Sequence, residues 1–464
     1  MPQESTAEPS QRPAGKLERG NRREQVGWYF YDWANSAFST TVAAVFLGPY
    51  VSELALQAAG EEGTAPVLGI PVAPHSFVFY CFTISVVLQF VFLPLLGAIA
   101  DYSNMRKKLM QFFAVSGSIA TMLLFFVTEE SWTLGGLLFI LANLSFGAAI
   151  VFYNAFLPDI AEPDDRDRVS SVGWAMGYLG GGILLLLNLI LYQLRETLGI
   201  DTGLAVRINL FSGGLWWFSW SFVTWRLLRS RDTVSALPSG ESYFSTGIKQ
   251  LVDTVKEASN YPHTIRYLIA YLLYNDGIQT VFSAAAVFAT APLANGGLEI
   301  DQGTLTMIVL MIQFVAFAGA LLFGRVATRI GAKKALMIGL AVWTVMVVYA
   351  YVGLRGESRV MEFWIMAACI AVVMGGTQAV SRSLFANMIP AGKEAEFFSI
   401  YEVSERGTSW LGPLTFGWVN QFVGSLRPAI FSVIFFFVVG MFLLQRVDVR
   451  RAIVESGNEP PAVV

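Results

Sequence analysis

Long apolar runs alternate with short polar breaks along nearly the whole chain. Many runs exceed 18 residues, about the length a helix needs to cross a bilayer core. The pattern predicts twelve membrane helices, at roughly 27–51, 75–100, 108–128, 132–156, 171–193, 206–228, 265–290, 303–326, 334–354, 362–388, 397–423 and 428–446. The longest polar stretch between them, 230–263, divides the helices six and six. Within it Phe244, Ile248, Leu251, Val252 and Val255 share one helical face, with Lys249, Asp253, Lys256 and Glu257 elsewhere. That spacing predicts an amphipathic helix lying on the membrane surface, with a polar linker as the alternative. The expected organisation is a disordered tail (1–26), a six-helix bundle (27–229), the linker (230–263), a second six-helix bundle (264–447) and a short tail (448–464). The fold class expected is therefore an all-α membrane protein of two pseudo-symmetric bundles.

Polar positions inside the apolar runs carry the next signal. The first helix bears Asp32, Asn35, Ser36 and Ser39; the seventh bears Asp276, Gln279, Thr280 and Ser283. Both sets follow i, i+3, i+4, i+7, and the offset from Asp32 to Asp276, 244 residues, holds for all four pairs. Such spacing makes one polar stripe on a helix. A stripe of this kind faces the protein interior or a watery cavity, because lipid cannot satisfy it. Interhelical hydrogen-bonding glue is the other reading; an ionisable acid in each stripe favours the cavity. A second repeat joins neighbouring helices. Gly97, Arg106, Lys107, Leu109 and Met110 recur as Gly324, Lys333, Lys334, Leu336 and Met337, all at an offset of 227. Asn104 and Gly331 are suited to the left-handed backbone of a tight turn.

Composition agrees with a membrane chain and narrows little else. Apolar residues make up 55% and charged residues 14%, against about 25% charged in soluble domains. The distribution of charge is more telling than the net value of −3. Of 31 Lys and Arg residues, 26 fall on the tails, the even-numbered loops and the helix ends beside them. Arg195, Arg207, Arg355, Arg359 and Arg427 are the other five. This asymmetry predicts both termini on the cytoplasmic side, in a plasma (inner) membrane. Residues 1–25 lack the apolar core of a signal peptide. Cys81 and Cys369 sit in apolar runs, which argues against disulfide or metal chemistry. His75 and His263 read as solvated loop residues. No cofactor, metal or nucleic-acid partner is expected, and a monomer suffices.

Asp276 falls about ten residues into its helix, which at ~1.5 Å per residue is ~15 Å, half of a ~30 Å core. A lone carboxylate at such depth costs at least ~2.5–3.5 kcal/mol, so a proton, a substrate cation or another helix must meet it. Asp32 is shallower. Gln378 and Arg382 share a face of the tenth helix. Arg382 with Asp276 would suit a zwitterionic solute; alternatively Arg382 sits at the cytoplasmic end and helps shut a gate. In the eleventh helix Glu402 and Arg406 are spaced to pair, leaving Glu405 to titrate or to pair across helices. Gating is the reading preferred for this trio. Asn154 lies at the end of the fourth helix and is a candidate for the same route.

These residues resemble the major facilitator superfamily. Its loop after the second helix reads Gly-x-x-x-Asp-Arg-x-Gly-Arg-Arg, and Gly97, Asp101, Arg106 and Lys107 match it, while Tyr102 and Asn104 depart. The second copy keeps Arg329 and Gly331 but has Thr328 for the acid. Gly173, Gly177, Gly180, Gly181 and Gly182 resemble the superfamily's antiporter motif, with Tyr178 replacing its proline; a small-residue packing face is the plainer reading. More narrowly, Tyr31 to Phe38, Tyr153 to Pro158, Tyr274 to Gly277 and Gly375 to Ser383 look like the autophagy-related vacuolar effluxer family. The resemblance implies a solute transporter, with amino acids as the candidate cargo. It also implies a gating role for Asp101, Arg106 and Arg329.

The function expected is secondary active transport of a small polar solute by alternating access, coupled to protons. The competing readings are an exporter of lipids or hydrophobic drugs, and a transporter-like sensor without turnover. An intramembrane enzyme would need a nucleophile–base set or paired histidines, and no histidine lies deep in a helix. A phosphate-binding Gly-x-x-x-x-Gly-Lys-[Ser/Thr] loop is absent from the sequence.

Overall fold

A computed structural model describes residues 20–60, 65–67, 69–101, 105–230, 249, 260–406 and 411–464. The chain is a bundle of long helices: α1 (Arg22–Ala59), α2 (Pro74–Asp101), α3 (Arg106–Leu123), α4 (Trp132–Asn154), α5 (Arg166–Leu194), α6 (Thr202–Leu227), α7 (Pro262–Thr290), α8 (Gln302–Ile330), α9 (Ala332–Val352), α10 (Arg359–Asn387), α11 (Glu394–Arg406), α12 (Leu411–Val423), α13 (Leu426–Gln445) and the short α14 (Val449–Glu455). Among the described residues nine helices are long and apolar enough to cross a membrane. Helices α6 and α7 have the length without the uniform hydropathy, because residues such as Arg207, Asn209, Asn275 and Asp276 dilute it. Helices α11 and α12 occupy the place of the eleventh expected span, on either side of residues 407–410.

Several helices overrun the expected boundaries by a few residues. Hydropathy marks the apolar stretch, whereas backbone hydrogen bonding continues past it. Within α1 the turns widen to π-helical form over Phe38–Phe46, a stretch that includes Ser39, the last residue of the polar stripe. The expected loop at 52–74 is partly helical and carries a hairpin of two short strands, β1 (Ala65–Val67) and β2 (Ile70–Val72), antiparallel with Ala65 opposite Val72. The other elements among the described residues are helical, so this small loop hairpin is an addition to the expected helical class. His263 lies in the first turn of α7, where its Nδ1 accepts from the Asp448 N–H at 3.1 Å, so it is not a loop residue. The amphipathic helix expected over 230–263 lies almost wholly outside the described residues.

Large apolar side chains cover the periphery: Phe79, Phe90, Phe112, Leu137, Val345 and Phe422 are all exposed. An apolar rim around buried polar groups inverts the soluble pattern and suits a lipid solvent. Inside, α5 packs along α1, α8 and α10, and α2 packs along α11. Small residues permit these approaches. A Cβ at Gly97 would lie 2.6 Å from the Ala395 carbonyl oxygen, and one at Gly324 would lie 2.6 Å from the Ser171 side chain.

Candidate functional site

Polar side chains gather where α1, α4 and α5 meet α10 and α11. Arg382 of α10 is buried, and all five of its N–H groups find acceptors. Nε donates to Ser170 Oγ (2.9 Å) and Nη2 to the Ser170 carbonyl (2.8 Å). Nη1 donates to Asn154 Oδ1 (3.3 Å), and both terminal nitrogens reach Asp32 Oδ2 at 3.3 Å. The rings of Trp28, Tyr153 and Trp174 surround the cation, with Trp28 nearest at 4.6 Å. The Tyr153 hydroxyl donates to the same Asp32 oxygen at 2.7 Å. Asn154 Nδ2 in turn donates to Glu402 Oε1 at 2.8 Å. The network runs Tyr153–Asp32–Arg382–Asn154–Glu402 and joins the first six helices to α10 and α11. Arg382 therefore does not stand with Asp276 to take the two ends of a zwitterion; it pairs with Asp32 across the seam, the arrangement the gate alternative describes.

Helix α5 is shaped to admit this cluster. A Cβ at Gly173 would stand 2.6 Å from Trp28, 2.8 Å from Asp32 Oδ2 and 3.0 Å from Arg382 Nη2. One at Gly177 would stand 2.7 Å from Ser36 Oγ, and one at Gly180 would stand 2.5 Å from the Trp33 carbonyl. The glycine series therefore packs α5 against the polar stripe of α1, and Gly182 faces Gln313 of α8.

A second network closes the end of the molecule that carries most of the basic residues. Arg106 donates to Asp101 Oδ1 (2.9 Å), Asp159 Oδ2 (3.0 Å), Glu394 Oε2 (3.0 Å) and the Ala155 carbonyl (3.1 Å). Asp101 accepts the backbone N–H groups of Ala395 (3.1 Å) and Glu396 (2.8 Å), the first turn of α11. A carboxylate at a helix N-terminus satisfies orphan donors and meets the positive end of the dipole. In the repeat Thr328 stands in place of Asp101; its hydroxyl bonds back to the Arg325 carbonyl within α8, and Arg329 beside it is exposed. The duplicated turn thus closes the seam in one copy and not in the other.

Between these networks a seam of α5 against α10 went unnoticed in the sequence. Arg166 donates to the Ala386 carbonyl (3.1 Å) and Asn387 Oδ1 (2.8 Å), Ser383 Oγ donates to Asp167 Oδ1, and Ser170 Oγ donates to the Ala379 carbonyl at 2.7 Å. Positions 166, 167 and 170 form one helical face; that spacing was the only signal available.

Asp276 lies elsewhere and has a different partner. It is fully buried, and its Oδ2 accepts the Gly412 N–H at 2.8 Å, in the first turn of α12. Oδ1 has no hydrogen-bond partner among the described residues, and neither does Asn35 Nδ2. Thr280 Oγ1 donates to the Asp276 carbonyl, 2.6 Å away. Gln378 Nε2 donates to Asn275 Oδ1 (3.0 Å), and Asn275 Nδ2 donates to the Glu405 carbonyl (3.1 Å). The Glu405 carboxylate accepts from the Tyr271 hydroxyl at 3.0 Å, so it pairs across helices. Gln279 is partly exposed. The Arg406 side chain lies outside the described residues, while Glu402 engages Asn154.

A cavity of about 520 Å³ lies away from the closed end. Ala44, Val45, Pro49 and Leu185 line one wall; Phe282, Ile308, Ile312, Ile370 and Met374 contribute to the other. Among the described residues, Gln302, Thr306 and Gln313 alone bring polar side chains to it.

Residues 20–457 match the family described as vacuole effluxer Atg22 like. The chain belongs to this Atg22-like family. An uncharacterized MFS-type transporter of Bacillus subtilis (strain 168), YxiO, is 30% identical over 91% of this chain and 94% of its own. Autophagy-related protein 22 of Yarrowia lipolytica (strain CLIB 122 / E 150) is 27% identical over 82% of this chain and 77% of its own. Among solved structures, the human organic anion transporter MFSD10 superposes with a TM-score of 0.67 at 14% identity, covering 92% of this chain and 100% of that one. The proton:xylose symporter XylE gives 0.66 at 12% identity, covering 91% and 94%. The Atg22-like chain therefore has the major facilitator fold and is an integral multi-pass membrane protein. Its relatives are MFS-type transporters, not enzymes.

Proposed function

We propose that this Atg22-like protein is a secondary active transporter that moves a small solute by alternating access. The observation that carries the reading is one-sided closure. Two polar networks tie α1–α6 to α7–α13 at the basic end, while the cavity between the same groups lies toward the other end. Two bundles, 27–229 and 264–447, rocking about a central site would interconvert this state with its opposite. With twelve spans, both termini and the 230–263 segment lie in the cytoplasm, and the closed end is the cytoplasmic gate. A single chain in the plasma (inner) membrane suffices.

The cargo that fits is an amino acid with an apolar side chain. Asn35 Nδ2 offers an unpartnered donor and Asp276 Oδ1 an unpartnered acceptor, each on a polar stripe and suited to one end of a zwitterion. Asn35, Ser36, Asp276, Gln279, Thr280 and Gln378 are the site assigned to the polar ends of the solute; none of them lines the cavity, whose apolar walls are assigned to its side chain. Protons couple through Asp276 and Asp32; Asp101, Arg106, Glu402, Glu405 and Arg406 belong to the gate.

Purified protein in liposomes, offered a panel of labelled amino acids, tests the reading. Under proton coupling, Asp276→Asn exchanges labelled for unlabelled solute but no longer accumulates it against a gradient. Under ammonium binding, exchange is lost as well. Full accumulation with normal pH dependence would remove Asp276 from the site.

A second reading, export of lipids or hydrophobic drugs, is favoured by the apolar lining of the cavity. It expects apolar compounds rather than amino acids to raise the melting temperature of the purified protein. Binding without flux in liposomes would point to a sensor.

A further inference from the structure

The segment that follows α13 does not trail away from the bundle. Lys333 Nζ donates to the carbonyls of Gln445 and Val447, both at 2.8 Å, and fixes its start against α9. After α14, Asn458 Nδ2 donates to the carbonyls of Asn387 (3.1 Å) and Ile389 (2.6 Å), just beyond the last turn of α10. The Asn387 carbonyl is one of the orphan acceptors at the C-terminus of α10, and the Ile389 carbonyl lies two residues beyond it. The Asn387 side chain in turn accepts from Arg166 of α5, so Asn458 braces a residue that already spans the seam. Four residues later the chain crosses the seam itself: the Ala462 N–H donates to Asp164 Oδ1, in the turn before α5, at 2.6 Å. Val464 then returns to the second group of helices at the α8–α9 turn. A Cβ at Gly331, where φ is +93°, would lie 2.7 Å from the Val464 carbonyl carbon. The seat thus exists because the duplicated turn holds glycine there.

We propose that residues 456–464 form a strap that holds the basic face shut and must leave Asp164 before that face opens. The geometry requires this if the two groups of helices part at the α5–α10 seam, because the strap is anchored on both sides of it. The strap rests on the alternating-access reading but not on the identity of the solute. A bound strap adds to the stability of the closed face, and a released one favours opening, so whatever captures or modifies this segment would shift the transport cycle.

The test follows the opening itself. In full-length protein with Cys81→Ser and Cys369→Ser, a cysteine replaces Ala386, which is fully buried at the seam. Its labelling rate with N-ethylmaleimide in liposomes reports how often the face opens. Asn458→Ala removes the two bonds to α10 and should raise the rate about fivefold, the scale of one or two net hydrogen bonds. Ala462→Pro removes the N–H that Asp164 accepts, on an exposed segment, and should raise it as well. Glu459→Ala, on the exposed side of the strap, should leave it unchanged. Rates within twofold of the parent for both Asn458→Ala and Ala462→Pro would overturn the strap. An increase with Asn458→Ala alone would also overturn it, because the segment would then merely prop α10. No labelling in any variant would show that the face does not open, and the strap would fall with the opening.

Discussion

Arg382 and Asp32 stand 350 residues apart, yet both terminal nitrogens of the arginine hold one oxygen of the aspartate, each at 3.3 Å. The pair joins α1 to α10 across the seam that the proposed alternating access would open. Its partners on every side are polar or aromatic, so neither charge is left bare.

Breaking this pair from one side should be costly. Asp32→Asn leaves a buried guanidinium without its counter-charge, a change worth about 3–5 kcal/mol in buried pairs. The melting temperature of the purified protein should fall clearly. Adding Arg382→Gln should recover part of the loss, giving a favourable coupling in the double-mutant cycle. Simple additivity of the two changes would show that the contact carries no interaction energy.

Asp101 acts on a helix end and on an arginine at once. Asp101→Ala removes the acceptor for the Ala395 and Glu396 N–H groups and the Arg106 partner. Capping losses alone run to about 0.5–2 kcal/mol. The closed state should weaken, transport should slow, and solute binding should persist. Measured in liposomes and by thermal shift, unchanged flux in a folded variant would contradict this role.

Glycines on α5 should be sorted by what they touch. Gly173→Ala drives a methyl toward Trp28, Asp32 and Arg382, whereas a Cβ at Gly417 meets nothing within 4 Å. Overpacking of this kind costs about 1–3 kcal/mol. Gly173→Ala should lower both the melting temperature and transport. Gly417→Ala should lower neither, and equal losses in the two would refute the packing argument.

Topology can be checked without a substrate. Single cysteines at Thr64 and Ser239 should react with an impermeant reagent from opposite sides of the membrane. Reaction from the same side would break the arrangement of six helices on either side of the linker.

Much of the helical frame was legible because its signal is local. A run of apolar residues long enough to span a bilayer announces itself without reference to the rest of the chain, and α1–α5, α8–α10 and α13 follow it closely. The same holds for the turn carrying Gly97, Asp101 and Arg106, where each residue type answers a demand of its own few neighbours. The family, too, was readable from short motifs. The β1–β2 hairpin was not, since two three-residue strands leave little pattern.

The partners of the buried charges were a matter for the tertiary structure. Asp32 and Asp276 sit in stripes of identical spacing, and sequence treats them as equivalents. Packing sends one to an arginine on α10 and the other to the first turn of α12. Periodicity states which face of a helix is polar; it does not state which helix will lie against that face. The environment of a charge in a dry interior is set by whatever atoms lie within a few ångströms, and those come from segments hundreds of residues away. For the same reason Arg166, Ser170 and Asn458 gave no warning: each is an ordinary polar residue until another helix brings it an acceptor or a donor.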